Sequence, residues 1–293
     1  MHIFITGATG FIGSNLITKL LNKKYKITAL VRNISRAKLQ LPNIALISNL
    51  TELENLDQFD AVINLAGEPI FDHRWSQKQK NNLQNSRVQL TQQLTQLINK
   101  SAHPPRCFIS GSAIGFYGNR PQQTLTEESS KGNNFTAELC QLWEAQALQA
   151  HTRVCLLRTG IVLDPTGGAF AKMLPLYRLG LGGKLGSGEQ YWSWIALEDM
   201  INAIIFLLET PSCHGVFNMV APNPVRNKTL NSLLGKYLHR PAFCTVPAFA
   251  MRLILGERAD LLFDDQKVLP QKLIQAGFNF QYATLADYLA RNL

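Results

Sequence analysis

Three glycines lie at regular spacing in Thr6-Gly7-Ala8-Thr9-Gly10-Phe11-Ile12-Gly13, and this pattern points most directly to chemistry. Glycine lets a chain turn tightly and lets backbone N–H groups approach a pyrophosphate with no Cβ in the way. A helix that starts at such a turn adds unpaired N–H groups and a favourable dipole. The pattern has weight only between a strand and a helix. Here His2–Thr6 is a short apolar run that predicts a buried strand, and Phe11–Lys23 carries Leu16, Ile17, Leu20 and Leu21 at helical spacing. The expected ligand is a dinucleotide, its pyrophosphate held at Gly7, Gly10, Phe11, Ile12 and Gly13.

A second position selects between dinucleotides. The end of the second predicted strand, 19 positions after Gly13, reads Val31-Arg32-Asn33, with Ser35 and Arg36 beyond. A carboxylate there binds the ribose diol of NAD and repels a 2′-phosphate. A guanidinium binds that phosphate through charged hydrogen bonds. The expected cofactor is therefore NADP(H), with Arg32 at its 2′-phosphate and Asn33 among the residues that bind it.

The elements that must position these groups alternate along the first half of the chain. Strands are predicted at Lys26–Val31, Ile44–Ile47, Asp60–Ala66, Cys107–Ser110 and Val154–Arg158. Helices are predicted within Trp75–Asn99 and over Thr136–Ala150. This order implies an α/β fold, a Rossmann-type doubly wound parallel sheet with a smaller, mostly helical C-terminal substrate lobe. The division expected is residues 1–165 for the NADP-binding domain and 166–293 for lid and lobe, with 196–222 returning to the sheet and an extension at about 245–293. Gly167–Gly188, crowded with glycine, is expected to be an irregular cover over a ligand. A helix at Glu198–Glu209, a strand at Gly215–Met219 and a helix at Asn227–His239 follow.

Composition removes several function classes. The five cysteines are far apart and form no CxxC pair, and the six histidines form no HxxxH pattern. Neither a disulfide framework nor a metal site is expected, and a reducing cytoplasm is. The longest apolar runs, such as Ile201–Leu208 and Val246–Leu255, fall short of the ~18 residues of a membrane span. The net charge of +9 is spread along the chain with no block longer than Lys23-Lys24, which suits an anionic small molecule better than nucleic acid.

Taken in order, TGATGFIG, AVINLAGEPI (61–70), SRVQLTQQL (86–94), ISGSAIGFYG (109–118), LRTGIVLD (157–164) and KMLPLYRLGLGGKLGSGEQYWSWI (172–195) resemble an atypical extended short-chain dehydrogenase/reductase. The resemblance is to the epimerase-like family with a conserved C-terminal extension, and VAPNPV (220–225) and the tail from Pro247 continue it. It implies that Leu65, Ala66 and Gly67 line the adenosine and ribose, and that Ser112 stands where relatives keep a catalytic serine. Tyr117 matches a tyrosine that follows that serine, and Asp199 an aspartate that starts a later helix. Thr9, Arg87, Ser110 and Arg158 fall within the matching stretches and complete the candidate cofactor set.

One departure outweighs these matches. Ordinary members carry Tyr-x-x-x-Lys on the helix after the fifth strand, where the lysine lowers the tyrosine's pKa. The comparable stretch is Phe135-Thr136-Ala137-Glu138-Leu139, with no ionisable hydroxyl and no ammonium. Ser112 and Tyr117 are left as the candidate catalytic pair. Glu138, Glu144 and Cys140 are weaker candidates on the same helix, with His73, Arg74, Lys172, Arg178 and Trp194 as candidate substrate contacts. Two functions stay open: an NADP(H)-dependent oxidoreductase or epimerase acting on a small, sugar-like molecule, and a non-catalytic NADP(H)-binding sensor or scaffold. A homodimer is also left open.

Overall fold

The strand β1 (His2–Thr6) lies in the interior of a seven-stranded parallel sheet because its residues are apolar on both sides. Ile3 and Ile5 face one helical layer and Phe4 the other, as period-two alternation requires. The computed structural model describes residues 1–293. The first half runs β1, α1 (Phe11–Asn22), β2 (Lys26–Leu30), α2 (Ile34–Gln40), β3 (Ala45–Ile47), β4 (Ala61–Asn64), α3 (Gln77–Lys100), β5 (Cys107–Ala113), β6 (Thr124–Leu125), α4 (Phe135–Ala147), β7 (Arg153–Thr159) and β8 (Ile161–Leu163). The second half runs α5 (Gly168–Arg178), β9 (Gly183–Leu185), β10 (Tyr191–Trp192), β11 (Trp194–Ala196), α6 (Leu197–Glu209), β12 (Gly215–Met219), β13 (Val225–Arg226) and α7 (Asn227–Leu238). It ends with β14 (Cys244–Val246), α8 (Ala248–Leu255), α9 (Asp260–Phe263), β15 (Lys267–Val268), α10 (Gln271–Gln275) and α11 (Leu285–Asn292).

The strand order is β3-β2-β1-β4-β5-β7-β12, every pair parallel. The winding reverses between β1 and β4, and the crevice at such a switch point is where open sheets bind ligands. One face of the sheet is covered by α1 and α6 through Leu16, Ile17, Leu20, Met200, Ile201 and Ile204. The other is covered by α3 and α4 through Leu94, Ile98 and Ala147, packed on Phe4, Val62 and Phe108. A second core lies outside the sheet, where Phe170, Leu174 and Tyr177 of α5 meet Leu230 and Leu234 of α7 and Tyr288 of α11.

The 167–188 stretch departs from the irregular cover expected of it. Phe170, Leu174 and Tyr177 recur at helical spacing and are all buried, so the stretch opens with the helix α5, and its crowded glycines come only after Arg178. The short α2 is a second helix that periodicity did not suggest. It starts at an Asn33 cap, whose side chain accepts from the Arg36 N–H at 2.9 Å. Asp199 opens α6 and accepts from the N–H groups of Gln281 at 2.8 Å and Tyr282 at 2.9 Å, which ties the tail back to the sheet.

Just after α9, Asp264 is half-buried, and this, with the charge of Asp260, pushes its carboxyl up to about 6 from an ordinary 3.8. A carboxyl raised on folding stabilises the protein fully below its unfolded value, and the contribution is lost as pH rises through the folded one. We therefore expect Asp264→Asn to raise stability by about 1–2 kcal/mol at pH ~7.5 and to leave it nearly unchanged at pH ~4. Urea unfolding at both pH values checks this. A variant less stable at pH ~7.5 would mean that the carboxylate itself is needed.

Candidate functional site

The turn from β1 into α1 is pressed against the end of β4. Gly7 takes a left-handed φ of +72°, and a Cβ there would meet the Leu65 carbonyl carbon at 2.5 Å. At Gly13 a Cβ would meet the Gly7 oxygen at 2.2 Å. The fold itself therefore requires these two glycines. Gly10 is different: a Cβ would touch only the Gly7 oxygen, at 3.1 Å, and would otherwise point into open space. It is the cap of α1, with no side-chain hydrogen bond, and the N–H groups of Phe11, Ile12 and Gly13 find no acceptor in the protein. A glycine that the packing does not demand, beside three free donors, fits an anion that must come close.

Beyond this turn lies a cavity of about 330 Å³ lined by Thr9, Val31, Arg32, Asn33, Arg36, Ala37 and Gln40. Two guanidinium groups and no carboxylate line it. Asn33 is engaged as the α2 cap, so its side chain shapes the cavity more than it presents an open donor. Arg36 reaches the cavity because α2 carries it there, and the sequence noted it without assigning it. The signal was the Asn-x-x-Arg spacing of a cap and its first turn.

The loop after β4 closes the other wall. Its Leu65 N–H donates to the Thr6 carbonyl at 3.2 Å, and the Ala66 N–H to Thr6 Oγ1 at 3.3 Å. Behind them Thr6 Oγ1 donates to Asn64 Oδ1, and Asn64 Nδ2 donates to Thr91 Oγ1 at 2.8 Å and reaches Ser110 Oγ at 3.4 Å. Ser110 is thus a fully buried brace and not the open cofactor contact it was expected to be. Arg87 likewise works from behind. Its guanidinium donates to the carbonyls of Glu68 at 2.8 Å and Leu83 at 3.1 Å and lies against Gly67, where a Cβ would come within 3.1 Å. These carbonyl partners orient the guanidinium behind the loop.

The C-terminal ends of β5 and β7 hold a buried polar chain. Ser112 Oγ donates to Glu144 Oε1 at 2.6 Å. Glu144 takes both Nε and Nη2 of Arg158 at 2.8 Å, a bidentate pair. Arg158 Nη1 donates to the Tyr117 hydroxyl at 3.0 Å, which donates to Asn218 Oδ1 at 2.7 Å. The Arg158 guanidinium also stacks 3.4 Å from the centre of the Phe116 ring. Burial opposes the charge on Arg158, but the hydrogen bonds and charge of Glu144 outweigh it and raise its pKa. Burial likewise raises the Tyr117 phenol, which stays neutral. Tyr117 has no exposed surface and Arg158 is 4% exposed, so protein partners surround both where a substrate and a cofactor contact were expected. Sequence could not show this, because Glu144 and Asn218 come from distant elements.

Ser112 is buried as well, with 5% of its surface exposed. Its proton is committed to Glu144, so only its lone pairs are left to accept. Beside it, burial pushes the Cys140 thiol up to about 11. At the place of the absent Tyr-x-x-x-Lys pair, Phe135 packs edge-on to Trp75 at 5.2 Å, and Leu139 is buried. Glu138 is exposed.

The lobe reaches the crevice at two places. The ring of Phe11 wedges against the start of α5, where a Cβ on Gly167 would meet it at 2.4 Å. Across the opening, Lys172 pairs with Asp72 at 3.2 Å, while Arg74 Nη2 donates to the Ile254 carbonyl at 3.0 Å and Arg258 Nη1 to the Phe71 carbonyl at 2.6 Å. The C-terminal extension thus straps the loop that follows β4. His73 stands exposed on that loop, and Arg178 is exposed at the end of α5. Trp194 is a core residue of the lobe, its Nε1 donating to the Asn223 carbonyl at 3.1 Å, and touches no crevice.

Residues 3–219 match the NAD dependent epimerase/dehydratase family, and residues 246–291 match a domain of unknown function, DUF1731. A chloroplastic epimerase family protein of Arabidopsis thaliana, an SDR39U1 homolog, is 40% identical, covering 99% of this chain and 86% of the relative. An epimerase family protein of Staphylococcus haemolyticus is 37% identical over 97% of this chain and 96% of the relative. Among solved structures, human epimerase family protein SDR39U1 with NADPH superposes at a TM-score of 0.92 with 32% identity, covering 100% of this chain and 99% of that one. A nucleoside-diphosphate sugar epimerase of Corynebacterium glutamicum gives 0.81 and 29%, covering 100% of this chain and 58% of its own. The glycine turn, the parallel sheet and the C-terminal strap therefore have one explanation: the chain belongs to the NAD dependent epimerase/dehydratase family, among its SDR39U1-like members.

Proposed function

We propose that this protein is a cytoplasmic NADP(H)-dependent oxidoreductase or epimerase-like enzyme acting on a small, sugar-like molecule. The carrying observation is the cavity with Arg32 and Arg36 beside the free N–H groups of α1, with no carboxylate on its wall. NADPH in the human relative supports the same cofactor, and the sugar-nucleotide epimerase named among the structural neighbours supports a sugar-like substrate. Free thiols at all five cysteines suit a reducing compartment. No helix is long and apolar enough to cross a membrane.

When bound, the nicotinamide supplies hydride transfer. The chain's own part begins with Gly10 and the α1 donors, which hold the pyrophosphate. Arg32 and Arg36 hold the 2′-phosphate, and the loop Leu65–Gly67 lines the ribose. Ser112, with its proton turned to Glu144, accepts a hydrogen bond from a substrate hydroxyl and so orients the carbon that bears it. Arg158 and Tyr117 keep Glu144 in place from the core. The α5 lid and the C-terminal strap exclude water.

A second reading, a non-catalytic NADP(H) sensor, is favoured by one observation. Phe135 and Leu139 pack as apolar residues where a proton relay would stand. Single-turnover NADPH oxidation with a panel of carbonyl sugars separates the two readings: measurable turnover that Ser112→Ala slows about 10-fold or more supports the enzyme. Binding without turnover supports the sensor.

Cofactor choice has a direct test. NADPH is expected to bind about 10-fold more tightly than NADH, a gap of ~1.4 kcal/mol, and Arg32→Ala to remove most of it. Fluorescence titration checks this, and equal affinities in the parent protein would place the 2′-phosphate elsewhere. The two kinds of glycine give a further contrast. Gly10→Ala should leave thermal unfolding within a few degrees of the parent and weaken NADPH about 10-fold or more. Gly13→Ala should lower stability by roughly 2 kcal/mol or more, because its Cβ overlaps the Gly7 carbonyl. Tight NADPH binding by Gly10→Ala would sink the pyrophosphate assignment.

A further inference from the structure

The end of β2 and the loop after β4 face each other at the adenosine end of the crevice, and each brings one charge. Arg32 Nη1 lies 3.8 Å from Glu68 Oε2. The two partners are held very differently. Glu68 is pinned through its backbone: its N–H donates to Ser86 Oγ at 3.0 Å, and its carbonyl accepts from Arg87 Nη2 at 2.8 Å. Both anchors sit on α3, so the Glu68 backbone is held relative to the sheet. Arg32 has a side chain 94% exposed, and Glu68 is its one charged partner. The Glu68 backbone is held in place, while the Arg32 guanidinium is free to swing.

We propose that Glu68 sets the strength of cofactor selection by competing with the 2′-phosphate for Arg32. This rests on the NADP(H) reading above. A cofactor with a free ribose diol brings no charge to Arg32 and leaves the pair intact. A 2′-phosphate brings up to two negative charges to the same guanidinium, which must then leave Glu68 or share itself between two anions. Because α3 holds the Glu68 backbone, the carboxylate stays within reach of Arg32. Arg36, the other cation of the cavity, makes no ion pair and is free of this competition. Glu68 therefore tempers the preference for NADPH through Arg32 alone, although it does not line the cavity itself.

The test uses the full chain with four probes: 2′,5′-ADP, 5′-AMP, NADPH and NADH. Each is titrated into the parent, Glu68→Gln, Arg32→Ala and the double variant. Glutamine keeps the backbone bonds to Ser86 and Arg87, and thermal unfolding checks that the fold is intact. Glu68→Gln should tighten 2′,5′-ADP and NADPH about threefold, the range of an exposed pair, and leave 5′-AMP and NADH within about twofold. In the Arg32→Ala background the same change should have no effect, a non-additivity that a structural role would not produce. Weaker NADPH binding by Glu68→Gln, an equal change for all four probes, or the same gain without Arg32 would each overturn the proposal. A parent that does not prefer 2′,5′-ADP to 5′-AMP would overturn the NADP(H) reading itself. A preference that Glu68→Gln does not move would remove only the role of Glu68.

Discussion

Backbone packed directly on backbone at Gly7 is the constraint on which the rest of the site depends. With a Cβ there, the turn would strike the Leu65 carbonyl 2.5 Å away, and β1 and β4 could not end side by side at the reversal of the sheet. Gly13 then lets α1 lie on the same turn. Together they aim the unpaired start of α1 into the crevice, and they place Thr6 to brace the Leu65–Gly67 loop. A helix dipole acts only within its first turn, so a displacement of one residue's width would remove the anion site while leaving the core nearly intact.

The polar chain at the ends of β5 and β7 is the second organising feature. An ion pair buried this deeply is costly to desolvate, and it persists here because every partner is engaged: Glu144 by Arg158 and Ser112, Arg158 by Tyr117, and Tyr117 by Asn218. Breaking such a pair leaves a buried charge without a partner. The chain therefore ties β5, α4, β7 and β12 into one rigid wall. It also sets the polarity of Ser112. A serine whose proton is fixed on a carboxylate has only lone pairs left to offer.

The C-terminal extension gives the crevice its outer boundary. Arg258 and Arg74 hold the loop after β4 through carbonyl contacts, and Lys80 of α3 pairs with Glu257 at 2.5 Å. These contacts join the sheet domain to the extension across the mouth of the site. Phe11 joins it to the start of α5 from the other side. The lobe is thus positioned by a few specific contacts, and its own core of Phe170, Trp194 and Tyr288 stays separate from the sheet.

The sequence by itself determined the sheet, the helix that follows the glycine turn, and the basic end of β2. Each depends on local pattern: apolar runs of strand length, helical spacing, and a guanidinium at a fixed distance from Gly13. It also marked Ser112 and the absence of a Tyr-x-x-x-Lys pair. Only the tertiary structure decided which polar residues face the crevice and which face the core. Ser110, Arg87, Arg158 and Tyr117 lie in the same matching stretches as the exposed candidates, yet all four turn to partners brought from distant elements: Asn64, Glu68, Glu144 and Asn218. A buried polar group turns to the partner that satisfies it. That partner is fixed by how α4, β4 and β12 pack, which no local spacing records.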